Sequence, residues 1–219
     1  MPHDRGSRIR CWGNARRRDA RVRNLGRLAG GAAPYFYIGL RGSHRSRPGL
    51  PGGLPGFPAR VRSGRGTRAR ARAGQPESYS ENDLYPDVRS ALSKLRAMGV
   101  WVGVVGNQTV RSGQILRSLD LPTDFIATSD DWGVEKPSPA FFSKVVEVAP
   151  CSAAEIVYVG DRIDNDVAPA KAAGMRTAYI QRGPWGWILR DMPEVAELSD
   201  WRIRDLSELP GIVATENEC

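Results

Sequence analysis

Residues 156–175 read IVYVGDRIDNDVAPAKAAGM. IVYV is short, rich in β-branched residues and apolar without alternation, as expected of a strand covered on both faces. Gly160 ends the run, and Asp161, Asp164 and Asp166 follow within six residues. The pattern predicts a helix over residues 166–173, stopped by Gly174, and then a further strand in MRTAYI. In an open α/β sheet, ligands gather beyond the carboxyl ends of the strands. The acidic loop stands at that edge. Clustered carboxylates repel one another unless a cation or a basic group compensates, and hard oxygen ligands suit Mg2+. Taken alone, the cluster also reads as a solvated turn in which Asp166 caps the next helix.

Upstream, the same alternation recurs. Pro86 precedes the helical stretch DVRSALSKLRAMG, with Val88, Leu92 and Leu95 on one stripe and Gly99 placed to cap it. VWVGVV, residues 100–105, reads as a buried strand. A helix over Val110 to Leu119 and a short strand near Phe125 to Ala127 come next. Ser138 as N-cap with Pro139 at the first helical position opens a helix through Phe141, Phe142, Val145 and Val146. Ser152 and Glu155 have capping-box spacing, read as coincidence or a single turn. Downstream, Trp185 and Trp187 in RGPWGW read as packing the edge of the domain, and Trp201 to Leu209 as a last short strand and helix turn. Helices alternating with strands through short loops imply an α/β fold, a mostly parallel sheet with helices on both faces.

VGDRIDNDVAPAKAAGM resembles the fourth motif of the haloacid dehalogenase superfamily in its GDxxxxD form. The resemblance implies a Rossmann-like core and a Mg2+ site to which Asp161 and Asp166 belong, Asp161 as ligand and Asp166 in support. It gives Asp164 no role. EKPSPAFF resembles the family's third motif, which makes Lys136 the residue that neutralises the nucleophile and the phosphoryl oxygens, a catalytic and phosphate-binding role. VVGNQT stands where the second motif normally presents Ser or Thr to the phosphate. Here Gly106 and Asn107 take those positions, and their backbone amides or the Asn107 side chain are the expected phosphate donors, while Thr109 also reads as a helix cap. The first motif, DxDx[T/V], would supply the attacking Asp and an acid/base Asp. No such pentapeptide occurs: the nearest, DNDVA at residues 164–168, lies inside the fourth motif. The resemblance covers Tyr79 to Leu209. It leaves the central first strand missing or substituted, and Tyr35 to Leu40 is the one upstream segment with strand composition to fill that place.

Charge divides the chain at the same point. Residues 1–76 hold 18 Arg, no Lys and two acids, a net charge of +16, whereas residues 77–219 hold 14 basic and 22 acidic residues, a net charge of −8. No carboxylate lies between Asp19 and Glu77. Residues 1–76, dominated by Arg, Gly and Pro, cannot bury enough apolar surface to offset chain entropy and are expected to form a disordered arm. Their Arg-without-Lys composition also matches a GC-rich coding region read from a wrong start or frame, a truncated or mis-started chain. Residues 77–219 are the expected hydrolase domain. The arm lacks the interleaved aromatics of a single-strand binder, so nucleic acid is expected only as a non-specific partner. Cys11, Cys151 and Cys219 form neither a disulfide framework nor a zinc pattern, which fits a reducing cytoplasm. AAPYFYIGL, the longest apolar run of the arm, is too short to span a bilayer, and no membrane partner is expected. The resemblance implies Mg2+-dependent hydrolysis of a small phosphorylated metabolite, with this chain inactive for want of the Asp nucleophile. The alternative is a non-enzymatic anion-binding or interaction protein with a basic arm.

Overall fold

The computed structural model describes residues 35–39, 78 and 80–217, the first segment and Asn217 by backbone alone. The described strands are β1 (Tyr35–Gly39), β2 (Val102–Gly106), β3 (Phe125–Thr128), β4 (Ile156–Gly160), β5 (Arg176–Ile180) and β6 (Trp201–Ile203). They form one sheet in the order β3-β2-β1-β4-β5-β6, every neighbouring pair parallel. The helices are α1 (Val88–Ala97), α2 (Val110–Ser118), α3 (Ser129–Trp132), α4 (Pro139–Val148), α5 (Ala168–Ala172), α6 (Gly183–Ile188), α7 (Pro193–Leu198) and α8 (Leu209–Asn217).

β1 takes the centre. Phe36 lies opposite Val102 of β2, and Tyr37 lies opposite both Gly103 of β2 and Tyr158 of β4. The segment expected to substitute for the central strand thus does so from Tyr35 to Gly39, while Leu40 lies outside the described residues. The ladder uses only backbone groups, so β1 satisfies the N–H and C=O groups on the facing edges of β2 and β4 that would otherwise be buried unpaired. Apart from β1, the expected disordered arm and the boundary at residues 76 and 77 also lie outside the described residues.

Alternating side chains divide the core between two faces. On one face, Val102, Val104, Val157, Val159, Ala178 and Ile180 meet Val88, Ala91, Leu92 and Leu95 of α1 and Leu209 and Val213 of α8. On the other, Val105, Ile156 and Tyr158 meet Phe141, Phe142 and Val145 of α4 and Ala170 of α5. α1 buries one stripe, and Gly99, at φ 80°, turns the chain out of it so that the Val100 amide donates to the Leu95 carbonyl at 3.0 Å.

Some local expectations change. β2 begins at Val102 rather than residue 100, because that turn still occupies Val100. The helix expected over residues 166–173 is instead a π-helical turn over Ile163–Val167 leading into α5. Ser152 and Glu155 form a capping box on a single 3-10 turn. Trp187 does not pack the domain edge: it is 56% exposed. Gly186 occupies the inward position of α6, where a Cβ would sit 2.7 Å from the Ile180 carbonyl oxygen, and Trp187 is the next residue along. Trp185 packs against the cluster around Tyr179. α3, α7 and α8 had no distinct sequence signature. No helix among the described residues is long and apolar enough to cross a membrane.

Candidate active site

Three adjacent strands end together. β2 stops at Gly106, β1 at Gly39 and β4 at Gly160, with Gly39 in register with Val105 and Ile38 with Val159. The chain past β2 enters the site with Asn107, and the chain past β4 enters it with Asp161. Between them the central strand ends on a residue without a side chain.

The best-defined contact of this edge is a buried ion pair. Lys136 Nζ donates to Asp166 Oδ1 at 2.6 Å, and the two residues are 7% and 3% exposed. Burial works against the lysine's charge, but the Asp166 carboxylate more than offsets it, so Lys136 titrates above its ordinary value and stays cationic. The rings of Phe141 and Tyr158 each lie 5.8 Å from Nζ. The Tyr158 hydroxyl is buried without a hydrogen-bond partner, yet near enough to Lys136 for each group to influence the other's titration. Burial pushes its phenol above the ordinary value, with Lys136 pulling the other way.

Gly160 is required by this arrangement. A Cβ there would sit 2.3 Å from Asp166 Cβ, so only glycine lets the Asp166 side chain cross the end of β4. Asn107 fixes the other side. Its Oδ1 accepts from the Lys136 amide at 2.7 Å and its Nδ2 donates to the Lys136 carbonyl at 2.9 Å, a clasp on the lysine's own backbone. Thr109 Oγ1 accepts from the Ser112 amide at 3.1 Å and caps α2.

Asp161 follows β4 directly. Gly183, with φ 66°, brings the start of α6 close, so that a Cβ on it would lie 3.8 Å from Asp161 Oδ2 and 3.9 Å from the Tyr85 hydroxyl. Burial, and then the negative charge of Asp161, raise Tyr179 above the ordinary phenol value. At the rim, Arg182 stacks over Tyr85 at 4.2 Å and donates to Asp87 Oδ2 at 2.5 Å. The same oxygen accepts from the Leu206 amide at 2.7 Å, which ties the entry to α1 to the 3-10 turn that follows β6. Arg162 lies 4.8 Å from the Trp185 ring and pairs with Asp164.

The five residues singled out in the sequence, Gly106, Asn107, Lys136, Asp161 and Asp166, thus belong to one edge. Three of them, Asn107, Lys136 and Asp166, form a connected chain of contacts. The side chain of Asn107 is spent on Lys136 rather than directed at an anion, and one oxygen of Asp166 is spent on the same lysine. Tyr158, Arg182 and Asp87 are additions that sequence reasoning missed. The one available signal was a hydroxyl interrupting the apolar run IVYV. Among the described residues no group of three or more His, Cys, Asp and Glu side chains converges as a metal cage. Mg2+ commonly takes one or two protein carboxylates, with water and substrate oxygens completing its shell. The hard-oxygen groups at this edge that could serve so are the Asp161 carboxylate and the second oxygen of Asp166, since Lys136 takes only Oδ1.

The profile of haloacid dehalogenase-like hydrolases matches residues 69–180, just over half of the chain, a span that holds Gly106, Asn107, Lys136, Asp161 and Asp166. The chain belongs to that family. It is 38% identical over 132 residues to a glyceraldehyde 3-phosphate phosphatase of Methanocaldococcus jannaschii, covering 59% of this chain and 56% of that protein. It is 33% identical over 137 residues to haloacid dehalogenase-like hydrolase domain-containing protein 3 of Danio rerio, covering 62% and 53%. The chain therefore spans a little over half the length of these relatives. Among solved structures, a HAD phosphatase from Thermococcus onnurineus superposes with a TM-score of 0.52 at 31% identity, covering 61% of this chain and 60% of that one. The putative HAD-hydrolase YfnB of Bacillus subtilis, bound to magnesium, superposes with a TM-score of 0.50 at 27% identity, covering 59% and 56%.

Proposed function

We propose that this chain carries the phosphate-receiving half of a Mg2+-dependent phosphomonoester hydrolase and does not turn substrate over. The observation that carries this reading is the end of the central strand. β1 stops on Gly39 between Val105 and the end of β4, and the sequence holds no carboxylate from there to Glu77. A nucleophilic carboxylate splits phosphoryl transfer into formation and hydrolysis of an acyl phosphate. Without it, phosphate-monoester hydrolysis falls back toward one of the slowest uncatalysed reactions.

The retained residues act on charge. Lys136, kept cationic by Asp166, faces the equatorial oxygens of a bound phosphoryl group, and the backbone N–H groups of Gly106 and Asn107 donate to the same anion. Asp161 presents its carboxylate to a divalent cation, which would supply charge neutralisation between enzyme and phosphate. The relatives' names point to small phosphorylated metabolites as the ligand class, among them glyceraldehyde 3-phosphate and, for a Halopiger xanaduensis relative, ribulose-1,5-bisphosphate. A cytoplasmic location accords with such substrates.

The test is hydrolysis of p-nitrophenyl phosphate by the full chain with and without Mg2+, alongside Asp161→Ala. No magnesium-dependent release above background is expected. Turnover that depends on magnesium and disappears in Asp161→Ala would show an active enzyme and remove the reading.

A further inference from the structure

Lys136 is held at more points than an ion pair requires. Its ammonium meets Asp166 at 2.6 Å, its amide and carbonyl are both taken by Asn107, and the buried Tyr158 hydroxyl lies beside its charge without a hydrogen-bond partner. A lysine side chain loses considerable rotamer freedom when fixed, and a long flexible stem on an irregular loop has no intrinsic reason to stop at one place. The Asn107 bonds bridge 29 residues of sequence, joining the end of β2 to the entrance of α4. A phenylalanine at position 158 would fill nearly the same volume without burying an unpaired hydroxyl, which costs about 1–3 kcal/mol. Tyr158 is therefore a poor choice for packing alone and a reasonable one for an oxygen beside a buried cation.

We propose that Asn107 and Tyr158 are positioning residues for Lys136, forming with Asp166 a cradle that keeps the cation in place whether or not an attacking carboxylate is present. Asn107 sets the backbone from which the side chain departs. Tyr158 offers the ammonium a second oxygen besides Asp166, so the cation can exchange partners when an anion arrives without leaving the site. The cradle deepens the phosphate-site reading above and rests on it for its ligand, but its geometry is testable without any ligand.

The experiment uses the full chain labelled with 15N. Side-chain ammonium resonances are followed by NMR, with Lys136→Met assigning the signal, and inorganic phosphate is titrated into the wild type, Asn107→Ala and Tyr158→Phe. The wild type is expected to show one Lys136 ammonium signal protected from solvent exchange. Asn107→Ala should lose that signal and bind phosphate about tenfold more weakly, and Tyr158→Phe should speed its exchange and weaken binding about threefold, as loss of a charge-assisted contact predicts. Backbone amide signals of β4 and α4 serve as the control, since a purely structural role would move them as well. Both variants keeping the protected signal and a phosphate affinity within about twofold of wild type would overturn the proposal. If Asn107→Ala fails to fold, Tyr158→Phe decides alone by the same criterion. A wild type lacking the protected signal overturns the cradle. A protected signal without phosphate binding supports the cradle and overturns the phosphate reading.

Discussion

The centre of the sheet and its two flanks satisfy different requirements at the same edge. The flanks, where β2 and β4 end, carry specific side chains: Asn107 clasping Lys136, Lys136 paired with Asp166, and a glycine at 160 because Asp166 crosses above it. The central strand is described by its backbone ladder, whose last residue is Gly39. Completing a parallel sheet asks for N–H and C=O groups in register, which nearly any extended apolar segment provides. Completing a reaction asks for one carboxylate at one position. A substitute strand can therefore restore the first without the second.

That contrast can be broken most forcefully from the flanks. Lys136→Ala leaves the Asp166 carboxylate buried and unpaired, and we expect a loss of about 3–5 kcal/mol in urea unfolding. A loss under about 1 kcal/mol would mean that the pair is not buried in solution. The reciprocal test is made at the centre. Gly39→Asp combined with Arg41→Asp starts an Asp-x-Asp pattern at the last residue of β1, and hydrolysis of p-nitrophenyl phosphate with magnesium present should rise about 100-fold over the background rate of the parent chain. A correctly folded double variant with no gain would show that the deficit lies elsewhere.

Smaller effects sharpen the picture. Gly160→Ala forces a methyl group into the space of Asp166 Cβ and should cost about 1–3 kcal/mol by chemical denaturation. Trp187→Ser, at an exposed position on α6, should change stability by less than about 0.5 kcal/mol in the same assay. A larger change would mean that the ring is covered.

The finest test uses pH. Burial works against the Asp200 charge, but hydrogen bonds from Lys171 and the Thr177 amide hold its carboxyl below the ordinary 3.8. Because the folded value is depressed, the stability it contributes is complete above 3.8 and is lost as pH falls through the folded value. The stability gap between wild type and Lys171→Met should be full at about pH 6 and should shrink as pH falls below the ordinary 3.8. A gap that persists at the lowest pH would exclude this origin.

Much of this architecture is legible from local pattern. Apolar runs without alternation marked β2 and β4 as interior strands, since strands covered on both faces have no polar side to show. Gly99 and Gly174 both stop helices, and both adopt positive φ, 80° and 83°. Asp161, Asp166, Lys136, Gly106 and Asn107 were found by motif, because loops after parallel strands converge whatever the distance between them in sequence. Less visible was how those residues use one another. Asn107 looked like an anion donor because its amide can serve one, but its partner lies 29 residues away and is a backbone rather than a side chain. Tyr158 looked like one more large residue in an apolar strand. α7 and α8 lacked strong periodic signals because each buries few side chains, Val195 in α7 and Leu209 and Val213 in α8.

The amino-acid sequence by itself determined the alternation of helices and strands, the family to which the motifs belong, and the lack of a carboxylate between Asp19 and Glu77. These are matters of residue type and spacing, and they need no coordinates. Tertiary structure alone decided that Tyr35–Gly39 stands at the centre of the sheet and that Asn107 serves Lys136. Both are pairings between distant parts of the chain. Strand pairing and buried hydrogen bonds are chosen by what else is left unsatisfied once the chain is compact, a condition that no local stretch of sequence contains.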